Sequence, residues 1–398
     1  MIRSIAYFGT YDPDYPRNAV LLAGLREHGV EVHEFRAPLP ALSAADMTGA
    51  CGTARMAIGV AAAHARLVAQ HRPGLRVDAV VVGYPGHFLA PAGRLVAAWR
   101  RARLVFDPLV SLFDTFADDR ALVRRGGVKA TAIRAVDEVA FGLPDLVLAD
   151  TWSHGSYYQE EFGLARGRVA VVPVGAWPEP RARGSARRLA PDEPLTVLQY
   201  GKWSPLHGAD VVLAAAERLR ADPVRFVLVG EGQLSRPLRA TLAARRLTNV
   251  RWLGRLPARE LRAHTLAADV CLGVFGRSEK AARVIPNKVY DALACGRPVV
   301  TADSDGAREW LRDGESAVLT PAGDAAALAD ALRRLLDADV RARLGEAGLA
   351  LYRRAFTPAA VAARLLAALG DSCRATARPA ALRGRAGRCG PRPRGAGL

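Results

Sequence analysis

This 398-residue sequence has few cysteines, only four lysines and no long apolar run, and these shortages narrow its class. The five cysteines are odd in number and form no C-x-x-C pair, and no H-E-x-x-H or EF-hand pattern occurs, so neither a disulfide framework nor a metal site is indicated. No stretch reaches the roughly 18 apolar residues of a membrane span, and the start lacks a secretory apolar segment. We therefore expect a soluble, cytoplasmic protein without a metal, and from its length two domains of roughly 100–200 residues each.

Signatures of three large enzyme classes are also missing. No G-x-G-x-x-G follows a predicted strand, which disfavours a nicotinamide or flavin dehydrogenase. The one Gly-Lys pair, Gly201-Lys202, is followed by Trp203, so there is no Walker A loop. No G-x-S-x-G nucleophile elbow is present either. Hydride transfer, P-loop phosphoryl transfer and acyl transfer consequently lose their usual sequence support.

The net charge of +17 would ordinarily favour a nucleic-acid partner, but the charge is unevenly placed. Residues 371–398 contain seven Arg and one Asp in an Ala/Gly/Pro-rich run without apolar periodicity. We expect this tail to be disordered and solvated, and binding of nucleic acid through it is the less favoured alternative. Much of the remaining excess lies in 195–370, where it would stabilise a small ligand that carries phosphate.

Short β-branched runs alternate with amphipathic helical patterns along both halves, which is typical of parallel sheets covered on both faces. The expected fold class is α/β, with two Rossmann-like doubly wound domains facing each other across a cleft, where strand carboxyl ends bind the ligand. We predict an N-terminal domain over 1–176, a linker over 177–194, a C-terminal domain over 195–370 and the basic tail. The predicted strands are 4–8, 30–35, 78–83, 102–106, 145–148, 169–174, 195–200, 225–229, 250–253, 270–275, 298–301 and 317–319.

Two loops of the C-terminal half have the chemistry of a diphosphate site. The first, 201–208, follows a predicted strand and opens a helix, so that a turn-forming glycine, a cation and a helix N-terminus coincide. The second, 276–291, contains a proline placed like a first-turn helix residue, which leaves the amides near Asn287 and Lys288 free for an anion. Asp291, on about the same helix face as Lys288, is placed to accept hydrogen bonds from a ribose.

Lysine usage points to the same two loops. Three of the four lysines, Lys202, Lys280 and Lys288, lie in them, in a chain that has 52 arginines. In a chain so rich in arginine, a lysine indicates a position that requires a compact point charge; chance placement is the alternative.

The segment 284–300, Val-Ile-Pro-Asn-Lys-Val-Tyr-Asp-Ala-Leu-Ala-Cys-Gly-Arg-Pro-Val-Val, resembles the donor-site segment of family 4 glycosyltransferases, which have the GT-B fold. The resemblance covers 195–370, and it reaches 1–180 only by pattern. It implies transfer of a sugar from a nucleoside-diphosphate sugar with retained anomeric configuration and no required metal, to an acceptor bound by the N-terminal domain. Further segments similar in order and spacing are 198–208, 227–232, 250–255 and 309–321.

Carried over residue by residue, the resemblance assigns Lys202 and Lys288 to the diphosphate, where they would stabilise the leaving group as it gains charge. Asp291 would hold the ribose hydroxyls, and Gly9-Thr10 would face the donor from the N-terminal domain. Gly254, Arg255 and Leu256 would line the base. The expected donor-binding residues are Gly9, Gly201, Lys202, Glu231, Gly254, Arg255, Leu256, Glu279, Asn287, Lys288 and Asp291.

Three positions depart from the family pattern. Arg283 stands where the family usually carries a Glu that touches the sugar, and Glu279 is the candidate substitute. His207 stands where a second diphosphate lysine is common. The ribose carboxylate is Asp291 rather than the commoner Glu, so its reach is shorter. These departures concern the sugar contacts and leave the implied reaction class unchanged.

On the acceptor side, His87 follows a predicted strand in a Gly/Pro turn and is a candidate to position or deprotonate an acceptor hydroxyl. We count it with Lys202 and Lys288 as a candidate catalytic residue, with a structural histidine as the equal alternative. Asp107 and Asp114 follow the next strand, either to contact the acceptor or as ordinary cap and turn residues. Arg17 is a candidate to meet an anionic donor or acceptor.

The expected acceptor is a cell-envelope glycan or glycolipid, within the wider class of glycans, lipid-linked compounds and small molecules. Residues 95–103 mix apolar, Trp and Arg side chains, which suits either a peripheral contact with an anionic membrane or a buried helix with a solvated edge. Three rival functions stay open: a nucleotide-sugar epimerase of the same build, a nucleic-acid-binding protein that uses the tail, and a donor-binding protein without transfer activity.

Overall fold

The computed structural model describes residues 2–37, 50–70, 74–179, 182, 187–190 and 193–376, without the side chains of residues 50, 51, 53 and 371–376. Most of the predicted tail and part of the predicted linker therefore lie outside the described residues.

The N-terminal half forms one parallel sheet of six strands. These are β1 Ser4–Gly9, β2 Glu31–Arg36, β3 Ala79–Val82, β4 Arg103–Phe106, β5 Leu146–Ala149 and β6 Val169–Val171. Their order is β2-β1-β3-β4-β5-β6. Every residue of β3 and β5 is buried, as expected where helices cover both faces of a parallel sheet.

The C-terminal half forms a second parallel sheet of six strands. These are β7 Leu195–Tyr200, β8 Val224–Val229, β9 Val250–Leu253, β10 Val270–Leu272, β11 Val299–Ala302 and β12 Val318–Thr320. Their order is β12-β11-β10-β7-β8-β9. All twelve predicted strands are present, and the predicted pair of doubly wound α/β units is confirmed.

Helices cover both faces of each sheet. Those of the first half are α1 Pro16–Glu27, α2 Ala50–Ala69, α3 Ala90–Arg100, α4 Val128–Gly142 and α5 Trp152–Phe162, with a π-helical turn at Asp114–Asp119. Those of the second half are α6 Ala209–Arg218, α7 Ser235–Ala244, α8 Ala258–Ala267, α9 Glu279–Arg283, α10 Asn287–Ala294, α11 Asp305–Arg308, α12 Ala325–Arg334, α13 Ala338–Ala355 and α14 Pro358–Thr376.

Each sheet separates two apolar cores, because successive strand side chains point to opposite faces. In β8, Phe226 and Leu228 belong to one core, and Val227 and Val229 belong to the other. This alternation holds the strands between two layers of helices and fixes where their carboxyl ends lie.

Both sheets have a point at which the strand order reverses, between β1 and β3 in the first and between β7 and β10 in the second. Loops that leave neighbouring strands in opposite directions open a crevice there, and ligands of such folds bind in it. The loops after β1, β3, β7 and β10 are therefore the elements that position a site.

The last helix, α14, packs on the N-terminal half. Its Val361, Leu365 and Leu369 share a core with Val20 and Leu21 of α1. The sequence predicts a C-terminal domain over 195–370, which includes the start of α14. In the structure, α14 packs against the N-terminal domain instead. The helix also continues to Thr376, past the predicted start of the tail.

Candidate functional site

The loop after β7 crosses the crevice of the C-terminal domain. It runs from Gly201 to Gly208 and includes the 3₁₀ turn Pro205–His207 before α6 begins. Gly208 has a left-handed φ of +59°, and a Cβ there would lie 2.5 Å from the backbone carbon of Phe275, in the loop after β10. The Phe275 N–H donates to the His207 carbonyl at 3.2 Å. The two loops with diphosphate chemistry therefore touch at the point of strand reversal.

A third loop, after β8, lies against Gly201. A Cβ on Gly230 would come within 2.1 Å of the Gly201 carbonyl oxygen, so only glycine permits this approach. The fully buried Trp203 donates its indole N–H to the Gly230 carbonyl at 2.8 Å. Trp203 thus anchors the loop, and Lys202 beside it is exposed.

Lys288 lies in the first turn of α10, which begins directly after Pro286. Its side chain is buried, and its Nζ has no hydrogen-bond partner among the described residues. The Nζ atom is 5.9 Å from the centroid of the Tyr200 ring. Burial lowers the pKa of Lys288 to about 7. An anion here would gain both the lysine charge and the positive end of the helix.

His207 is close enough to Lys288 to feel its charge. Burial, and then the positive charges of Lys288 and Arg120, hold the pKa of His207 well below its usual value. Its Nδ1 lies 3.1 Å from the Ser204 hydroxyl. His207 is therefore neutral at pH 7, and the positive charge in this part of the crevice comes from its neighbours.

Asp291 lies about one helical turn beyond Lys288. The Tyr200 hydroxyl donates to its Oδ2 at 2.5 Å. Burial raises the pKa of Asp291, and the hydrogen bond from Tyr200 opposes this rise. The last residue of β7 thus orients the carboxylate that the sequence assigns to the ribose.

The ends of β8 and β9 form the edge expected to bind the base. Glu231 pairs with Arg239, whose guanidinium carbon lies 4.8 Å from the centroid of the Trp252 ring. Hydrogen bonds from Ser235 and Arg239 lower the pKa of Glu231. A Cβ on Gly254 would lie 3.9 Å from Glu231 Oε1, so these predicted residues are neighbours. Of the others on this edge, Arg255 is exposed and Leu256 packs against the core.

The first domain reaches the crevice through the loop between β1 and α1. Gly9 ends β1, and the Thr10 hydroxyl donates to the Pro85 carbonyl at 2.9 Å, which joins the loops after β1 and β3. Further along the first loop, the Tyr15 hydroxyl lies beside the Asn287 side chain at the start of α10. The first loop of the N-terminal domain thus meets the start of α10, where Asn287 and Lys288 lie.

His87 occupies a closed position in the first domain. It is 2% exposed, and its Nε2 lies 2.8 Å from the Val110 carbonyl oxygen. The ring packs between Phe106 and Phe141, with centroids at 5.1 and 6.2 Å. Burial lowers the pKa of His87, and the nearby Asp137 opposes this shift. These contacts make His87 part of the domain core beside the crevice.

Arg17 and Asp107 form a fully buried ion pair. Arg17 Nε donates to both carboxylate oxygens of Asp107, at 2.7 and 3.0 Å. Its Nη1 donates to the carbonyls of Val172 and Pro173 at 2.6 and 2.8 Å. Burial raises the pKa of Asp107, and Arg17 opposes this rise. The pair ties α1 to the carboxyl ends of β4 and β6.

Helix α9 joins the two domains through a charged cluster. Arg283 Nη2 lies 2.7 Å from an oxygen of Asp114, which lies in the π-helical turn of the first domain. The buried Lys280 lies 3.4 Å from the other Asp114 oxygen. The side chain of Glu279 is 91% exposed and contacts Arg283 at 3.2 Å. Arg283 and Lys280 thus bind the first domain, and Glu279 lies at the surface.

Two contributors to the domain contact are not among the site residues that the sequence predicts. Glu309 accepts hydrogen bonds from the backbone N–H groups of Trp152 and Ser153, at 2.6 and 2.7 Å, and so caps α5 of the other domain. Arg120, one arginine among many, follows the π-helical turn and influences His207 only because the fold brings the domains together.

In the described part of the chain, no cluster of three or more His, Cys, Asp or Glu side chains is arranged to hold a metal. Within the same residues, no helix is both long and apolar enough to cross a membrane. On α3, Leu95 and Trp99 are 43% and 51% exposed. Arg94 pairs with Asp145, and Arg100 donates to the Leu75 carbonyl.

Residues 194–338 match the family model for glycosyl transferases group 1. The chain is 32% identical over 256 residues to the D-inositol 3-phosphate glycosyltransferase of Acidothermus cellulolyticus, across 60% of this chain and 56% of that protein. It is 38% identical over 163 residues to the phosphatidyl-myo-inositol mannosyltransferase of Mycobacterium leprae, across 40% and 42%. The chain thus spans about half the length of the curated relatives it matches.

Two solved structures share nearly the whole architecture. HepE of Anabaena, in complex with UDP and glucose, has a TM-score of 0.62 at 16% identity, across 93% of this chain and 100% of that one. The sucrose-phosphate synthase of Thermosynechococcus elongatus has a TM-score of 0.66 at 18% identity, across 94% and 100%. The GT-B fold implied by the sequence resemblance is thereby confirmed.

Proposed function

Since this chain belongs to the glycosyl transferases group 1 family through residues 194–338, we propose that it is a retaining glycosyltransferase. It moves a sugar from a nucleoside-diphosphate sugar to an acceptor hydroxyl. The observation that carries the proposal is the buried Lys288 Nζ at the start of α10, which has no hydrogen-bond partner in the described ranges. A diphosphate supplies the negative charge that such an ammonium requires.

The proposed chemistry follows from where charge develops. As the bond between the anomeric carbon and the diphosphate oxygen breaks, negative charge grows on the diphosphate, and fixed positive charge beside it lowers the barrier. Lys288 acts from a desolvated position in which charge interactions are strong, and the exposed Lys202 adds a second charge. With retention, the acceptor oxygen arrives on the face that the diphosphate leaves, so a phosphate oxygen is the nearest base for its proton.

The donor is proposed to be bound along the edge formed by β7, β8 and β9. Asp291, held by Tyr200, takes the ribose hydroxyls. The loop of Gly254, Arg255 and Leu256 faces the base, with Glu231 beside it. Binding of UDP by HepE, which has the same fold, supports a uridine nucleotide as the first donor to test.

The acceptor is proposed to be a cyclic polyol or a lipid that carries one. The relatives named for D-inositol 3-phosphate and phosphatidyl-myo-inositol support this class, which is compatible with the predicted cell-envelope glycolipid. Exposed Leu95 and Trp99 on α3 are where a peripheral membrane contact would form, whereas Arg94 and Arg100 are engaged within the domain. A membrane contact and a cytoplasmic location stay predictions.

The enclosed positions of His87, Arg17 and Asp107 support positioning roles in the first domain. Arg17 and Asp107 hold the carboxyl ends of strands beside the crevice. His87 supports the loop after β4 through the Val110 carbonyl. The proposed catalytic work therefore rests on Lys202 and Lys288, with Asn287 contributing a backbone N–H at the start of α10.

Metal independence is part of the proposal. Lys202, Lys288 and the N-terminus of α10 supply the positive charge that a divalent cation supplies in other nucleotide enzymes. Chelation should therefore leave donor binding and turnover unchanged.

The first test is a thermal shift of the purified protein with UDP, GDP, dTDP and ADP, each with and without EDTA. A ligand that binds the native state raises the melting temperature. We expect one nucleotide to raise it at millimolar concentration, equally in both arms. No rise with any of the four would contradict the donor site, and a rise that EDTA abolishes would contradict metal independence.

A further inference from the structure

Arg120 belongs to the first domain, and hydrogen bonds from the second domain hold its backbone carbonyl and the neighbouring Asp119. The Gln233 side chain, in the loop after β8, donates to the Arg120 carbonyl at 2.9 Å. The hydroxyl of Ser278, in the loop after β10, donates to the neighbouring Asp119 at 3.0 Å. These two loops flank the loop after β7, so both attachments fix Arg120 opposite the site assigned to the diphosphate.

The side chain of Arg120 lies within electrostatic reach of that site. Its Nε is buried and has no hydrogen-bond partner in the ranges that the structure describes. The positive charge of Arg120 acts on His207 from one domain, as that of Lys288 does from the other. It also lowers the pKa of Tyr15, against the stronger effect of burial, in the loop that meets the start of α10.

Lys288 and Arg120 place two positive charges beside the neutral His207, and an anion bound between them would compensate both charges. Lys288 Nζ and Arg120 Nε are both buried and unpartnered within the described chain. The carboxylate next to Arg120, that of Asp119, accepts a hydrogen bond from Ser278, and it interacts more strongly with the Lys280 ammonium than with Arg120. A guanidinium binds phosphate with two parallel hydrogen bonds, which an ammonium does not do.

We propose that Arg120 is a donor-binding residue that the first domain supplies to the diphosphate, so that the bound donor bridges the two domains. This inference rests on the proposed function. Arg120 supplies the second positive charge that His207, at the position where a diphosphate-binding lysine is common, does not supply. Because it comes from the opposite domain, its contact forms only when the domains are closed, and it strengthens as the departing diphosphate gains charge.

The test compares how much affinity each phosphate group adds. Calorimetric titrations with uridine, UMP and UDP, or the series of whichever base the thermal shifts identify, are made on the wild type, Arg120→Gln and Arg120→Lys. Arg124→Gln, an exposed arginine of the same loop, is the matched control for net charge. Loss of one charge-assisted bidentate contact corresponds to a tenfold to hundredfold weaker Kd, by order of magnitude.

We expect Arg120→Gln to weaken diphosphate binding by about tenfold or more, while binding of the nucleoside and the melting temperature stay unchanged. Arg120→Lys should recover part of the loss, and Arg124→Gln should match the wild type. An Arg120→Gln variant with wild-type diphosphate affinity would overturn the inference alone. Equal losses for nucleoside and diphosphate would also overturn it, since they indicate a structural role. Absence of binding by the wild type would instead refute the proposed function, and this inference with it.

Discussion

Replacement of Lys288 by methionine should abolish a proton uptake that accompanies nucleoside diphosphate binding at pH 8. Burial lowers the pKa of Lys288 to about 7, so about nine-tenths of these side chains are neutral at pH 8. A diphosphate beside Nζ favours the ammonium and raises that pKa. Binding therefore draws nearly one proton from solution. Methionine keeps an unbranched side chain and removes the titration.

Calorimetry in buffers of different ionisation enthalpy measures this uptake directly. At pH 8 we expect about 0.9 proton per nucleotide for the wild type and none for Lys288→Met, with binding weakened by about 2–4 kcal/mol. Lys129→Met, which removes an exposed lysine of α4, should behave like the wild type. Wild-type binding without uptake, or equal uptake in Lys288→Met, would refute a contact between Lys288 and the diphosphate.

The same pKa predicts how stability depends on pH. The pKa of Lys288 is about 7 in the folded protein and about 10.5 when unfolded, so between these values the unfolded chain binds more protons. The wild type should therefore gain stability over Lys288→Met as pH rises through this window, by about 2.3 kcal/mol from pH 7 to 9. Urea unfolding of both proteins measures the difference, and parallel pH profiles would contradict the burial of an uncompensated ammonium.

Three further substitutions, two of them paired with a control substitution, test the contacts that build the crevice, each by urea unfolding. Asp114→Asn should destabilise the protein by about 3 kcal/mol because it removes the buried carboxylate that Arg283 and Lys280 share. Glu279→Gln, at a 91% exposed side chain, should change the stability by less than about 0.5 kcal/mol. Equal effects of the two substitutions would refute the cluster. Gly208→Ala should lose about 3 kcal/mol and also weaken nucleotide binding, because its Cβ would meet the backbone at 2.5 Å. Gly314→Ala, with a similar φ of +71° and open space around it, should lose only about 1 kcal/mol, and no difference between the two would contradict the close approach of the loops. Glu309→Ala should cost about 1–2 kcal/mol through loss of the cap on α5, and an unchanged midpoint would remove it from the domain contact.

The architecture was predictable because each strand carries its own signal. Ala79–Val82 is buried at every residue and Val224–Val229 at every residue except Arg225, and their apolar composition predicts such strands. The packing of α14 was not predictable in this way. Its apolar positions are compatible with either domain, and only the three-dimensional path of the chain selects α1 as the partner.

The residues of the candidate site also differ in how far the sequence predicts them. Lys288, Asn287 and Asp291 follow one another on a single helix, so their local sequence sufficed to group them. Arg120 and Asp114 act across the gap between domains, and nothing in their own segment indicates which cation or anion they meet. For His87 the local sequence was misleading. Its place at a strand end in a Gly/Pro turn suggested an accessible base, but Phe106 and Phe141 pack against its ring in the fold.

The most direct measurement of the central claim follows the anomeric proton and phosphorus signals by NMR while the protein is incubated with nucleotide sugars. Each donor is offered alone and with myo-inositol, inositol 3-phosphate or phosphatidylinositol. We predict that one donor is consumed only in the presence of an acceptor, at a rate insensitive to EDTA, and that the product keeps the anomeric configuration of the donor. An inverted product, a free epimerised sugar formed without acceptor, or a donor that binds but is never consumed would contradict retaining sugar transfer.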